Sequence, residues 1–236
     1  MPGRGEWEDE AENWIRWART PGHDAYWAYR ASFFEAVVPP PGRRTVEIGC
    51  GEGRVSRDLR DRGHRTVGVE LSPTLVAAAA GADPDGRYIR ADAAALPLGD
   101  GVCDLVVAYN SLMDIADMAP ALSEAGRILV PGGRLCICVT HPTSNAGRFT
   151  TNEPDAPFVV TGTYFGRRRF EMTETRDGLS MTFRGWSYSL EQYAAALAGA
   201  GFVIETVREP VPAEPSGHLL RFCRIPMFLH IGARRS

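Results

Sequence analysis

Apolar positions fall into two successive patterns along the chain. In the first, Trp7, Ala11, Trp14, Ile15 and Ala18 recur at the spacing of one helix face. Thr20-Pro21-Gly22 interrupts this stripe. Asp24 can cap a second helix running through Tyr29 and Phe33 to about Val38, and Pro39-Pro40-Pro41-Gly42 ends it. Residues 1–42 are therefore expected to form a helical lid.

From Arg44 the pattern alternates between strand and helix. Residues 45–48 form a short apolar strand, followed by a Gly-rich turn and a helix carrying Val55 and Leu59 that Gly63 closes. A second strand spans 66–69. Ser72 as N-cap and Pro73 at the first helical position open an Ala-rich helix. Residues 87–91 are a third strand. The run 103–109, apolar but for Asp104, is a fourth, as expected for a strand buried on both faces. Asp117 can cap a helix reaching Leu129, and Pro131-Gly132-Gly133 turns into a fifth strand at 135–139. Such alternation predicts an α/β fold with a parallel, doubly wound sheet.

Residues 142–188 break the rhythm. Strands are expected at 159–165, 170–175 and 179–186, with turns at Gly166-Arg167-Arg168-Arg169 and Arg176-Asp177-Gly178. This reads as a small antiparallel β insertion. Ser189 and Gln192 then form a capping box for a helix ending at Gly201. The last strands are expected at 202–207 and 219–233. The domain itself is taken as 43–236.

A chain of 236 residues suits one such domain. The net charge of −3 gives no overall field for nucleic acid or an anionic membrane, and lysine is absent. The five cysteines, at 50, 103, 136, 138 and 223, contain no CxxC pair. Cys136 and Cys138 share one strand face and read as buried thiols rather than metal ligands. The acidic N-terminus lacks a signal-peptide pattern, and no run approaches the ~20 apolar residues of a membrane span. A cytoplasmic, reduced protein is expected, as a monomer or homodimer.

Chemistry concentrates in the first half. Glycines at 49, 51 and 53 lie between a strand and a helix, where backbone can approach a ligand at the positive end of the helix. The dinucleotide fingerprint would need glycine at 54, where Arg54 stands. Glu47 adds a carboxylate, so a ligand with an ammonium group and no phosphate fits better. Glu70 ends the second strand and can accept both hydroxyls of a ribose. Asp92 follows the third and can accept from the exocyclic amine of a purine. In an open α/β sheet all three acids lie on the carboxyl edge, where ligands bind.

These residues resemble the class I S-adenosylmethionine-dependent methyltransferases. Glu47-Ile-Gly-Cys-Gly-Glu-Gly53 looks like the family's first motif and Val69-Glu70-Leu71-Ser72 like its acidic loop. Arg90-Ala91-Asp92-Ala93 with Leu96-Pro97 looks like the adenine loop. Asp104-Leu-Val-Val-Ala-Tyr-Asn110 looks like the fourth-strand motif, and Arg127-Ile-Leu-Val-Pro-Gly-Gly133 like the turn before strand five. The resemblance covers 44–141 closely and the last helix and strands more loosely. It implies a seven-stranded sheet with the final strand antiparallel. It implies S-adenosylmethionine as cofactor, with Glu70 on ribose, Asp92 on adenine, the backbone around Gly49 near the methionine part and Asn110 near the methyl donor. Tyr26, Glu47, Cys50, Gly51, Leu71, Ala93 and Ser111 are further candidates for the cofactor site. Arg19 is a candidate partner of the methionine carboxylate.

Methyl transfer mainly requires a nucleophile aligned behind the methyl, and a base only where a proton must leave. His141, just past the fifth strand, is the candidate base; the alternative is a histidine bonded to loop backbone. His23, between the two leader helices, could reach the site if the leader folds over it. Candidates for touching substrate are Trp14, Trp27, Tyr109, Met113, Asp114, Tyr164 and Trp186, each alternatively plain core. Their aromatic density suggests a small aromatic or heteroaromatic acceptor, such as an indole or phenol. Competing readings are a nucleic-acid or protein methyltransferase, a non-catalytic cofactor-binding subunit and a nicotinamide-dependent dehydrogenase. The Asn-Pro-Pro motif of base methylases is missing, since 110–114 reads Asn-Ser-Leu-Met-Asp. The only basic cluster in the domain, Arg167-Arg168-Arg169, suits a hairpin tip. No ligand set for a metal is evident.

Overall fold

Strand β4 (Cys103–Tyr109) lies at the middle of a seven-stranded sheet in a computed structural model that describes residues 5–236. To one side of it come β1 (Thr45–Ile48), β2 (Thr66–Glu70) and β3 (Arg87–Arg90); to the other come β5 (Leu129–Thr140), β11 (Phe228–Arg235) and β10 (Phe202–Arg208). Strands β1 to β5 pair in parallel, and β11 runs antiparallel to both of its neighbours. This is the expected α/β, doubly wound sheet with an antiparallel last strand.

Alternation along the strands builds two cores. Leu105, Val107 and Tyr109 join Cys136 and Cys138 beneath helices α3 (Tyr26–Ala36) and α4 (Arg54–Asp61). Val106 and Ala108 join Leu135, Ile137 and Val139 beneath α6 (Met118–Ile128) and α7 (Leu190–Gly199). The period of two in the strands sends neighbouring residues to opposite helix layers, so β4 from Leu105 to Tyr109 and β5 from Leu135 to Val139 read as unbroken apolar runs. Three of the four expected caps form; at α3 the N-cap residue is Ala25, and Asp24 accepts from Tyr26 N at 3.1 Å. Ser72 Oγ accepts from Leu75 N at the start of α5 (Pro73–Ala82), Asp117 accepts from Ala119 N, and Ser189 with Gln192 forms the capping box of α7.

The N-terminal segment is helical but divided. A break at Glu10 separates α1 (Glu6–Asp9) from α2 (Ala11–Arg19), and the buried tryptophan of α2 is Trp17 rather than Trp14. Helix α3 belongs to the domain core, with Tyr29 and Phe33 fully buried. Only α1 and α2 lie over the sheet edge. Glu8 fastens α1 by accepting from Ser72 Oγ and Thr74 Oγ1 at the start of α5. Glu6 pairs with Arg169, and Glu10 pairs with Arg184 at 3.4 Å.

Two parts of the sequence reading are corrected. The insertion holds two hairpins: β6 (Gly147–Phe149) with β7 (Phe158–Val160), and β8 (Arg168–Arg176) with β9 (Leu179–Ser187). Residues 161–167 leave the strand because the Thr163 hydroxyl accepts from Phe165 N, a local turn that competes with sheet pairing. The last strand starts only at Phe228, after a 3-10 turn at Gly217–Cys223. Pro226 has no N–H to give to a ladder, which places the strand start beyond it.

His230 sits in β11 between β5 and β10, fully buried, with neither ring nitrogen hydrogen-bonded. Burial pushes its pKa down to about 4. An unfolded histidine near 6.5 binds the proton that the folded one refuses, so this site's stability contribution falls as pH drops below about 6.5. Wild type should lose about 2 kcal/mol more than His230→Leu between pH 7.5 and pH 5, read from chemical denaturation at both values.

Candidate active site

The carboxyl ends of β1, β2 and β4 open into a cavity of about 1160 Å³. A single small ligand commonly occupies 300–1,000 Å³, so this volume admits a cofactor and a second molecule together. The turn after β1 forms its floor. Gly49, Gly51 and Gly53 have φ of 68°, 56° and 87°. At Gly49 the requirement is strict, since a Cβ would lie 2.4 Å from Ser111 Cβ. Ser111 holds that position by donating to the Ile48 carbonyl at 2.7 Å.

Glu70 ties the turn to its neighbour. One carboxylate oxygen accepts from Gly51 N at 3.0 Å, and the other accepts from Leu71 N at 2.7 Å and Ser72 N at 2.9 Å. Burial nevertheless raises its pKa above the ordinary carboxylate value, outweighing those three bonds. Asp92 accepts from Ala94 N at 2.9 Å in the next loop. Glu47 is buried under the turn, bonded by the Ser56 hydroxyl, and no salt bridge reaches it among the described residues. Burial pushes it up to about 8, with the Glu52 and Glu70 charges adding to the shift. Glu52 is held by Arg19 at 2.8 Å and Arg57 at 2.9 Å.

Arg54 takes a role that the sequence did not reveal. It pairs with Asp24 at 2.7 Å and lies over the rings of Tyr26 at 4.2 Å and Trp14 at 4.9 Å. It thereby draws the lid against the turn. Tyr26 in turn donates to Asp58 at 2.6 Å. Asn110, at φ 51°, donates its N–H to the Cys138 carbonyl and so ends β4 facing the cavity.

Comparison with known proteins bears on this arrangement. Residues 46–137 match a family model described as a methyltransferase domain. Over 116 residues the chain is 34% identical to a demethylmenaquinone methyltransferase of Beutenbergia cavernae, covering 49% of this chain and 48% of that one. Over 127 residues it is 34% identical to the Thermus thermophilus protein of the same name, covering 51% and 57%. The chain thus spans about half the length of the curated relatives it matches. A crystal structure of an S-adenosylmethionine dependent methyltransferase from Mesorhizobium loti superposes with a TM-score of 0.70 at 26% identity, over 90% of this chain and 98% of that one. Residues 46–137 are thus similar to a methyltransferase domain, set in the sheet fold shared with that structure. The cofactor named for that structure is S-adenosylmethionine.

The residues of the methyltransferase domain suit that cofactor on their own chemistry. A sulfonium and an ammonium are cations, and the crevice presents Glu47, Glu70 and Asp92 beside a turn whose Gly49, Gly51 and Gly53 carry no Cβ. A buried acid that no salt bridge reaches among the described residues, as Glu47 is, gains from such a ligand.

Of the residues singled out from sequence, Trp14, Tyr26, Glu47, Gly49, Cys50, Gly51, Glu70, Leu71, Asp92, Ala93, Tyr109, Asn110, Ser111, Met113 and Asp114 line this one cavity. Five are not brought to its wall. Arg19 is engaged by Glu52 and the Ala78 carbonyl. Trp27 follows Tyr26 on α3, is turned a quarter of the helix away, and packs under Arg30 at 4.9 Å. Tyr164 is tethered through its hydroxyl to Leu190 N, and Trp186 is covered by Arg167 at 4.7 Å.

His141 is the fifth, and its contacts argue against a base. Nδ1 accepts from Thr143 N at 3.1 Å, which leaves Nε2 to donate to Glu209 at 2.8 Å. Both nitrogens are occupied, and burial outweighs Glu209 to lower its pKa. His23, the other histidine of interest, packs on Trp17 with ring centroids 4.3 Å apart.

Sequence reasoning missed an aromatic and basic part of the cavity wall: Phe149, Phe158, Arg176, Phe183, Arg221 and Phe222. Phe149 and Phe158 face each other in register across β6 and β7, but an eight-residue polar loop separates them, so no periodic signal joins them. Arg221 and Phe222 sit in a short 3-10 turn, which has no amphipathic repeat. Among the described residues no group of three or more His, Cys, Asp or Glu could hold a metal ion, and no helix is long and apolar enough to cross a membrane.

Proposed function

We propose that this chain transfers a methyl group from S-adenosylmethionine to a small aromatic or heteroaromatic acceptor. The observation carrying this reading is the continuity of the cavity: the acidic crevice over β1 and β2 opens directly into a space walled by Phe149, Phe158, Phe170, Phe183 and Phe222. Flat faces and edges of such rings favour a flat ring between them. The demethylmenaquinone methyltransferases it resembles over half their length are named for a quinone-class small molecule, which agrees in kind.

The cofactor supplies an electrophilic methyl group. The chain's own part is to orient and to exclude water. Glu70 and Asp92 are assigned to the two ends of the adenosine, and Glu47 to the side of the ammonium. Asn110 and Ser111 lie between crevice and acceptor space. The lid helices, drawn down by Arg54 and Glu8, cover the turn. Asp114 stands at the junction, where burial and the Glu70 charge favour its protonated form, so it is poorly suited to accept a proton. An acceptor atom with a free lone pair needs no base.

Two measurements test the reading. Calorimetry with S-adenosylhomocysteine should show binding that strengthens with pH. Free Glu47 titrates near 8 and its ionised form suits a cation, so affinity should rise about fivefold from pH 7 to pH 8. Glu47→Gln should abolish that slope. A panel of phenols, indoles and quinols with labelled cofactor should give methylated product from at least one ring class. Turnover of aliphatic acceptors alone would overturn the aromatic assignment.

A further inference from the structure

Charge is distributed unevenly along the cavity. The crevice end carries Glu47, Glu70, Asp92 and Asp114, and its one arginine, Arg54, is neutralised by Asp24. The acceptor end is basic. Arg176 at the end of β8, and His218 and Arg221 on the 3-10 turn before β11, line the wall among phenylalanines. Arg148 of β6 lines it as well, and Glu174 is the acid whose charge acts on Arg221. Arg184, the remaining arginine of the wall, is already paired with Glu10 and Glu171.

These basic groups crowd one another. His218 lies within the field of both Arg176 and Arg221, and burial together with those charges lowers its pKa. Arg221 is itself depressed, first by burial. Its Nε–H is buried without an acceptor, and its guanidinium rests between Phe149 at 5.4 Å and Phe222 at 5.3 Å. Its other contacts, the Thr151 carbonyl at 3.1 Å and Asn152 Oδ1, are neutral. Arg176 likewise donates to a neutral group, the His23 carbonyl, and lies over the Trp17 ring at 5.8 Å. Guanidiniums held this way, stacked on rings and facing a cavity, are unspent partners for a planar oxyanion.

We propose that the methyl acceptor carries an anionic group on its ring system and that Arg176, His218 and Arg221 receive it. This rests on the methyltransferase reading above and adds a charge requirement to it. The cavity is then matched to two ligands of opposite sign, a cationic methyl donor at the acidic end and an anionic acceptor at the basic end. Attraction across the cavity draws the pair together, and neutral analogues lack both the anchor and the orientation it gives.

The test compares ligands that differ only in charge, on the wild-type protein saturated with S-adenosylhomocysteine. Indole-3-acetate is set against indole-3-acetamide, and phenyl phosphate against phenol, by calorimetry at low and at 0.5 M salt. At least one anion should bind ten times or more tighter than its neutral mate, with the preference shrinking in salt and collapsing in Arg221→Gln. The carboxylate and phosphate arms identify which oxyanion is taken. Equal binding of charged and neutral mates, or binding of neither, by protein that still binds S-adenosylhomocysteine, overturns the anion requirement and leaves the methyltransferase reading standing. Failure to bind S-adenosylhomocysteine at all overturns both.

Discussion

Glu70→Ala is expected to weaken S-adenosylhomocysteine binding by about a hundredfold. The carboxylate at the end of β2 combines two tasks. It accepts from the backbone of Gly51, Leu71 and Ser72, which fixes the turn after β1 relative to the loop after β2. It also places a formal charge on the carboxyl edge, where burial has already raised the cost of keeping it ionised. A hydrogen bond to a charged group contributes about 1.5–3 kcal/mol. Loss of two such bonds to ribose hydroxyls, with partial release of the turn, comes to about 3 kcal/mol, or roughly two orders of magnitude in Kd. Glu70→Gln keeps the shape but not the charge and should fall between. Calorimetry on both variants, alongside circular dichroism to establish folding, reads the effect. A Kd within twofold of wild type would place the nucleoside elsewhere.

Gly49→Ala is expected to destabilise the fold by about 2–5 kcal/mol. Its φ of 68° costs a residue with a Cβ about 1–2 kcal/mol. The new methyl would also meet Ser111 Cβ at 2.4 Å, and forcing an extra carbon into close packing costs about 1–3 kcal/mol. Ser111 cannot yield freely, because its hydroxyl is bonded to the Ile48 carbonyl at the end of β1. The two costs separate in a double-mutant cycle. Ser111→Gly in the Gly49→Ala background should recover the steric part and leave the backbone part. Urea denaturation measures all four proteins. A single variant within 0.5 kcal/mol of wild type would mean that the turn is more open than described.

The first half of the chain was far more legible than the second, for physical reasons. Between 45 and 140, the apolar stretches 105–109 and 135–139 mark strands buried on both faces, and α5 and α6 open on recognisable caps, Ser72 and Asp117. The acids at 47, 70 and 92 could be placed because parallel strands put every strand end on one edge. The acceptor wall offered no such rule. Its residues come from two short hairpins and a 3-10 turn, and their proximity is set by tertiary packing alone. Phe149 meets Phe222 at 5.3 Å across more than seventy residues of chain. Single side chains misled in the same way. His141 sits at the right strand end, but its second bond, to Glu209, comes from beyond β10. Arg54 appeared only as the residue that spoils a dinucleotide motif, while its partners Trp14, Asp24 and Tyr26 come from α2, the following loop and the start of α3.

The position of β11 has a bearing on how the molecule assembles. It is the last of the seven strands in sequence yet stands inside the sheet, zipped to β5 on one side and β10 on the other. Until it arrives, β5 displays an open row of backbone donors and acceptors flanked by Cys136, Ile137, Cys138 and Val139, and β10 has nothing to join. Between the synthesis of β5 and that of β11 the nascent chain therefore carries an apolar border with unpaired backbone groups, and pairing with β11 closes it on both sides.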